Sequence, residues 1–117
     1  MSIGSIAENR ILTEDVLGLE LGPSELAPEN VVAGRPGVSS RVLSEALGAE
    51  VGVWQLTAGT VTDTEVDEVF IVLAGDATVA FADGSEIDLK PGVAVRLRAG
   101  DRTVWTVRET LRKIYVV

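Results

Sequence analysis

Glu68-Val-Phe-Ile-Val-Leu-Ala74 reads as a strand: an acid, then an unbroken run of β-branched, aromatic and aliphatic residues, closed by Gly75-Asp76. Alternation along it puts Glu68, Phe70 and Val72 on one face and Val69, Ile71 and Leu73 on the other. Apart from Glu68 both faces are apolar, so both should be covered. Downstream, Gly75-Asp76 predicts a turn into a strand over 77–81. Asp83-Gly84 is a two-residue hairpin signal leading into 85–89. Lys90-Pro-Gly92 and Ala99-Gly-Asp101 bracket a strand over 93–98, and strands over 103–107 and 112–117 complete the chain. Upstream, 49–57 is a strand stopped at Ala58-Gly59, preceded by strand-like residues from 40 to 45. Short strands with turns every eight to twelve residues, and no long helical period, predict an all-β sandwich or barrel.

Residues 1–28 break this pattern. The stretch 11–21 mixes apolar and acidic residues before Gly22-Pro23, and it is expected to be an arm with a short strand near its start or middle. Pro28 suits the first position of one helical turn, and Gly34-Arg-Pro-Gly37 is a loop. The organisation expected is an N-terminal arm over 1–28, a candidate for exchange between the subunits of a dimer, and one barrel domain over 29–117.

At 117 residues, 46% of them apolar, and with mean hydropathy +0.29, the chain can bury one core. No apolar run is long enough to cross a bilayer and no export signal precedes residue 10, so no membrane partner and a cytoplasmic location are expected. There is no cysteine and no histidine. The formal charge is −8, divided as −9 over residues 1–68 and +1 over 69–117. An acidic chain lacks the basic face that phosphates require, so no nucleic acid partner is expected.

The order of turns, together with Glu68 followed at the right interval by Gly75, and with Gly92 and Gly100, resembles the cupins, small jelly-roll barrels. Their first motif has the form G-x5-H-x-H-x3,4-E-x6-G. At a finer level, Gly52-Val-Trp54, Thr57-Ala-Gly59, Asp67-Glu68 and the tail Trp105-x3-Glu109-x2-Arg112-Lys113-x-Tyr115 resemble the small single-domain cupins related to (S)-ureidoglycine aminohydrolase. The resemblance implies an all-β cupin jelly roll (a double-stranded β-helix) and a homodimer. In that alignment Thr62, Thr64 and Thr103 stand where the family has metal-binding histidines, with Glu68 keeping the carboxylate position. Hydroxyls are poor ligands for the metals that imidazoles select. One carboxylate with three threonines would hold calcium or magnesium weakly, so no metal and no cofactor are expected.

If Glu68 faces the interior, burial demands a partner for its charge. Lys113 and Tyr115 share a face of the last strand, and Lys113, alone or with Tyr115, is expected to reach Glu68; the alternative is a surface Lys113 with Glu68 hydrogen-bonded to the threonines. Trp54 and Trp105 are either barrel core or, one or both, the wall of a cavity where they stack on a flat or apolar ligand, two readings that overlap because a cupin's core is also its pocket wall. The ligand-binding candidates are therefore Trp54, Thr62, Thr64, Glu68, Phe70, Thr103, Trp105, Lys113 and Tyr115. Arg96, Arg98 and Arg102 form a possible anion-binding or simply solvated face. The expected function is binding of a small molecule of unknown identity. The alternatives are an enzyme acting on a small nitrogenous metabolite through Glu68, Lys113 or Tyr115, with or without an oxygen-ligated metal, and a purely structural dimer module.

Overall fold

The computed structural model describes residues 6–117. It contains nine strands: β1 (Gly22–Ser24), β2 (Val31–Gly34), β3 (Val38–Ser44), β4 (Val51–Leu56), β5 (Gly59–Thr64), β6 (Glu68–Phe81), β7 (Glu86–Leu89), β8 (Ala94–Leu97) and β9 (Arg102–Val116). Two short 3-10 turns, Glu8–Arg10 and Pro28–Asn30, are the only helical elements among the described residues. The second begins at Pro28, as expected of a residue whose missing N–H costs nothing there.

The architecture follows from two long strands. β9 pairs antiparallel with β6 along nearly its whole length, from Val69↔Val116 to Phe81↔Thr103. On its other edge β9 is shared: residues 111–116 pair with β4, and residues 102–107 pair with β5. β6 is shared likewise, 68–71 pairing with β8 and 77–80 with β7. One layer therefore runs β1-β3-β4-β9-β6-β8 and the other runs β2-β5-β9-β6-β7, with β6 and β9 crossing from layer to layer. This is the jelly-roll barrel.

Two breaks expected from the sequence are bends instead. Gly75-Asp76 does not turn the chain back; β6 continues through it, and 103–107 and 112–117 are one strand. The β6–β9 ladder shifts register between Val72 and Ala77. Gly75 has φ +107, and a Cβ there would collide with the Thr110 carbonyl oxygen and lie 2.7 Å from Leu111 Cα. The glycine serves as a bulge at a barrel corner, where backbones approach closely. β2 and β5 were not expected as strands.

Between the layers lies a core of Leu56, Phe70, Val79, Leu97, Trp105 and Leu111, among others. The outer side of β6 differs from its inner side: Phe70 and Val72 are each 1% exposed, whereas Val69 is 47% and Ile71 44% exposed. Residues 16–24 of the arm lie against the barrel of the same chain. Arg112 donates to the carbonyl oxygens of Val16 and Leu19, each at 3.0 Å, and to Gln55 Oε1 at 3.1 Å. The arm's strand is β1, at the Gly22-Pro23 step rather than near the start or middle, and it pairs with β3 of the same chain.

Candidate functional site

A cavity of about 340 Å³ opens at one end of the barrel between the two layers. From the first layer, β4 contributes Trp54 and β9 contributes its direct neighbour Lys113. From the second layer come Val61 on β5 and Trp105 on β9, again direct neighbours. Leu26 and Val38 close the side nearest the arm.

At its floor Lys113 Nζ donates to Glu68 Oε2 at 2.5 Å. The ammonium is enclosed by rings, 4.4 Å from the Phe70 centroid, 4.5 Å from Trp54 and 5.0 Å from Trp105. The rings pack on one another as well, with Trp54–Trp105 centroids 5.9 Å apart and Phe70–Trp105 centroids 5.7 Å apart. Lys113 is only 5% exposed. Its charge is balanced by one carboxylate and by the negative faces of three aromatic quadrupoles. The expected pairing of Glu68 with Lys113 is thus present. Tyr115 lines the same cavity, but its hydroxyl donates to Glu50 Oε2 at 2.8 Å rather than joining Glu68. Burial, then the Glu50 hydrogen bond, push that phenol up to about 12, so it keeps its proton at any ordinary pH.

A second acid, unsuspected from the sequence, stands on the wall. Glu65 is 8% exposed, and its Oε2 accepts from Thr103 Oγ1 at 2.8 Å and from Trp105 Nε1 at 3.1 Å. Its backbone is pinned on both sides: Glu65 N–H donates to the Asp101 carbonyl oxygen and Gly100 N–H donates to the Glu65 carbonyl oxygen. Burial dominates its titration, raising the carboxyl from 4.5 to about 7. The Thr103 hydrogen bond pulls the other way and the nearby Asp63 carboxylate adds to the rise. The only local signal was an acid two residues past Asp63, beside a strand end. Nothing in the sequence says that the 98–101 turn would fold over it.

The threonine assignment requires correction. Val61 faces Trp105 and Asp63 faces Thr103, so these residues point to the inner side. Thr62 and Thr64 pair with Val104 and Arg102 and lie on the opposite side. Thr62 touches the cavity rim and donates to the Asn30 carbonyl oxygen at 3.4 Å; Thr64 belongs to a separate, open groove. A slip of one residue exchanges every side chain between faces. The cupin motif allows three or four residues before its glutamate, and the ladder realises four, putting Val61 and Asp63 at the histidine positions. Thr103 is buried as expected, but it serves Glu65. Arg96, Arg98 and Arg102 are exposed and outside the cavity.

These residues do not suit a transition metal. The positions that would supply imidazoles hold valine and aspartate, and the glutamate is already engaged by an ammonium that would repel a divalent cation. No cluster of three or more potential ligands occurs among the described residues.

A curled two-layer sheet with a ligand-sized cavity at one end defines a jelly-roll barrel of the cupin class. The chain belongs to the EutQ-like cupin domain family, whose model matches residues 43–115. Among solved structures it is similar to a protein of unknown function from Pseudomonas syringae pv. tomato, at 26% identity and TM-score 0.76, over 87% of this chain and 45% of that one. It is also similar to a Rhizobium leguminosarum protein of unknown function, at 26% identity and TM-score 0.60, over 68% of this chain and 78% of that one. The Clostridium difficile EutQ protein shares the fold at 21% identity and TM-score 0.59, over 69% and 61% of the two chains. The chain thus spans less than half of the Pseudomonas protein and under two thirds of the Clostridium one. No curated protein matches it in sequence.

Proposed function

We propose that this domain binds a small polar molecule without a resident metal, Lys113 taking the place beside Glu68 that a metal cation would hold in histidine-bearing cupins. The observation that carries the reading is the buried Lys113–Glu68 pair facing a cavity walled by two tryptophans. Such a floor offers N–H donors and a carboxylate acceptor within one ligand length, and the tryptophans accept a flat face. A planar compound with a carbonyl oxygen and N–H groups, such as an amide or a ureido compound, meets both. The finer resemblance to cupins related to ureidoglycine aminohydrolase supports that choice of ligand. A thermal-shift screen with ureido compounds, amino acids, sugars and divalent ions tests it. The expected result is a higher Tm with ureido or amide compounds, lost in Trp54→Ala, and none with divalent ions. A selective shift with a transition metal would overturn it.

A second reading is favoured by Glu65. An acid pushed up to about 7 on a cavity wall can both give and take a proton at neutral pH. On this reading the domain turns over a small nitrogenous compound, with Glu65 moving the proton and Lys113 and Glu68 orienting the substrate. Turnover lost in Glu65→Gln, with ligand affinity retained, would distinguish it from binding alone.

A further inference from the structure

Lysine is a poor choice for a purely structural partner of Glu68. The chain has eight arginines and only two lysines. Lys90 is exposed in a turn, and Lys113 is buried at the cavity floor. An arginine would grip the carboxylate through two parallel hydrogen bonds and keep its charge, whereas an amine can surrender a proton and become a nucleophile. Only one hydrogen bond from Lys113 Nζ is found, to Glu68; the remaining surroundings are ring faces and the cavity. The amine is therefore oriented at the cavity floor and beside a proton acceptor.

We propose that Lys113 condenses reversibly with small aldehydes or ketones that enter the cavity, forming an imine on Nζ. This rests on the cavity being a ligand site, as argued above. As the carbonyl carbon reaches Nζ, one ammonium proton passes to Glu68 Oε2. The freed lone pair forms the C–N bond while the C=O π pair moves onto oxygen. A second nitrogen proton then transfers to that oxygen, giving a neutral carbinolamine. Glu65, partly protonated at neutral pH, protonates the hydroxyl, which leaves as water as the nitrogen lone pair closes the C=N bond. The proton held on Glu68 restores Glu65. The sum is ammonium plus carbonyl giving iminium plus water, with no oxidant or reductant.

Two lysines make the test clean. The whole chain is incubated with benzaldehyde, a flat aldehyde suited to the tryptophan walls, and sodium cyanoborohydride, and the benzylated peptides are mapped by mass spectrometry. Lys113 should label faster than Lys90 by about tenfold or more, because positioning replaces random encounter. Glu68→Gln should slow the label on Lys113 and leave that on Lys90 unchanged. Lys113→Arg, which keeps a cation for Glu68, should abolish the fast phase; should that variant not fold, the Glu68→Gln comparison and competition by benzyl alcohol in the unmodified chain decide. Label confined to Lys90 and the terminal amine, or equal rates at the two lysines, would overturn the imine. If benzyl alcohol or benzamide raises the Tm while Lys113 stays unlabelled, the imine falls and the ligand cavity stands. If no compound binds and no fast label forms, both fall.

Discussion

Taking the ammonium away from Lys113 strands Glu68 in a site that admits little water; their side chains are 6% and 13% exposed. Breaking one side of a buried pair costs more than removing both. Lys113→Met should lower unfolding stability by about 3–5 kcal/mol, and adding Glu68→Gln should recover part of that loss, both read by urea denaturation. Glu65 makes a prediction with a definite sign. Its folded value, about 7, lies above the ordinary 4.5, so between those values the folded state holds more protons than the unfolded one. Stability contributed by this group is present below pH 4.5 and declines as pH rises through 7. Glu65→Gln should flatten the pH dependence across that window relative to the unmodified chain. The Lys113–Glu68 contact was legible in the sequence once the cupin resemblance set Glu68 in the interior, since alternation on two strands and the cost of a lone carboxylate there then point to it. Glu65 was not, because what buries it comes from residues 98–103, more than thirty positions away.

Among the elements, β6 and β9 hold the barrel together, and the joint between their halves is the most sensitive place. Gly75→Ala adds a methyl against the Thr110 backbone at a φ that L side chains rarely adopt. The cost should exceed about 2 kcal/mol, whereas Gly84→Ala, whose Cβ would meet nothing, should cost less. Comparing their thermal unfolding checks this. The same joint explains why the strands were read as broken. A glycine followed by an aspartate is a turn signal when seen locally, and only the partner strand's matching bulge shows that the chain bends without reversing. β5 shows a related limit. Gly59-Thr-Val-Thr-Asp-Thr64 alternates well enough to be a strand, but which face is inner depends on pairing Val61 with Trp105.

Across the molecule, the outer face of the β6–β9 pair carries exposed apolar side chains. Val69, Ile71, Ile114 and Val116 lie on adjoining strands of the outer face, Val69 directly opposite Val116 and Ile71 opposite Ile114. We propose that a second copy of the chain covers it. An apolar face can meet its own image across a two-fold axis, while a net charge of −8 keeps copies apart elsewhere. Light scattering should give a dimer mass that Ile71→Lys reduces to monomer while the Tm of the barrel is kept. Since the arm is tied to its own sheet through Arg112 and β1, deleting residues 6–20 should leave that dimer in place. A monomer after the deletion would favour an arm exchanged between the two copies.

Composition, turn spacing and strand alternation were enough to determine an all-β barrel and to sort the residues of β6 into two faces; with the cupin resemblance choosing the inner face, they also brought Lys113 to Glu68. These are consequences of local periodicity and of what burial demands of a charge. The crossing of β6 and β9 between layers, the one-residue register of β5 and the raised carboxyl of Glu65 were decided only by tertiary pairing. Each depends on contacts between segments distant in the chain, and a period of two residues cannot say which strand lies opposite or what covers it.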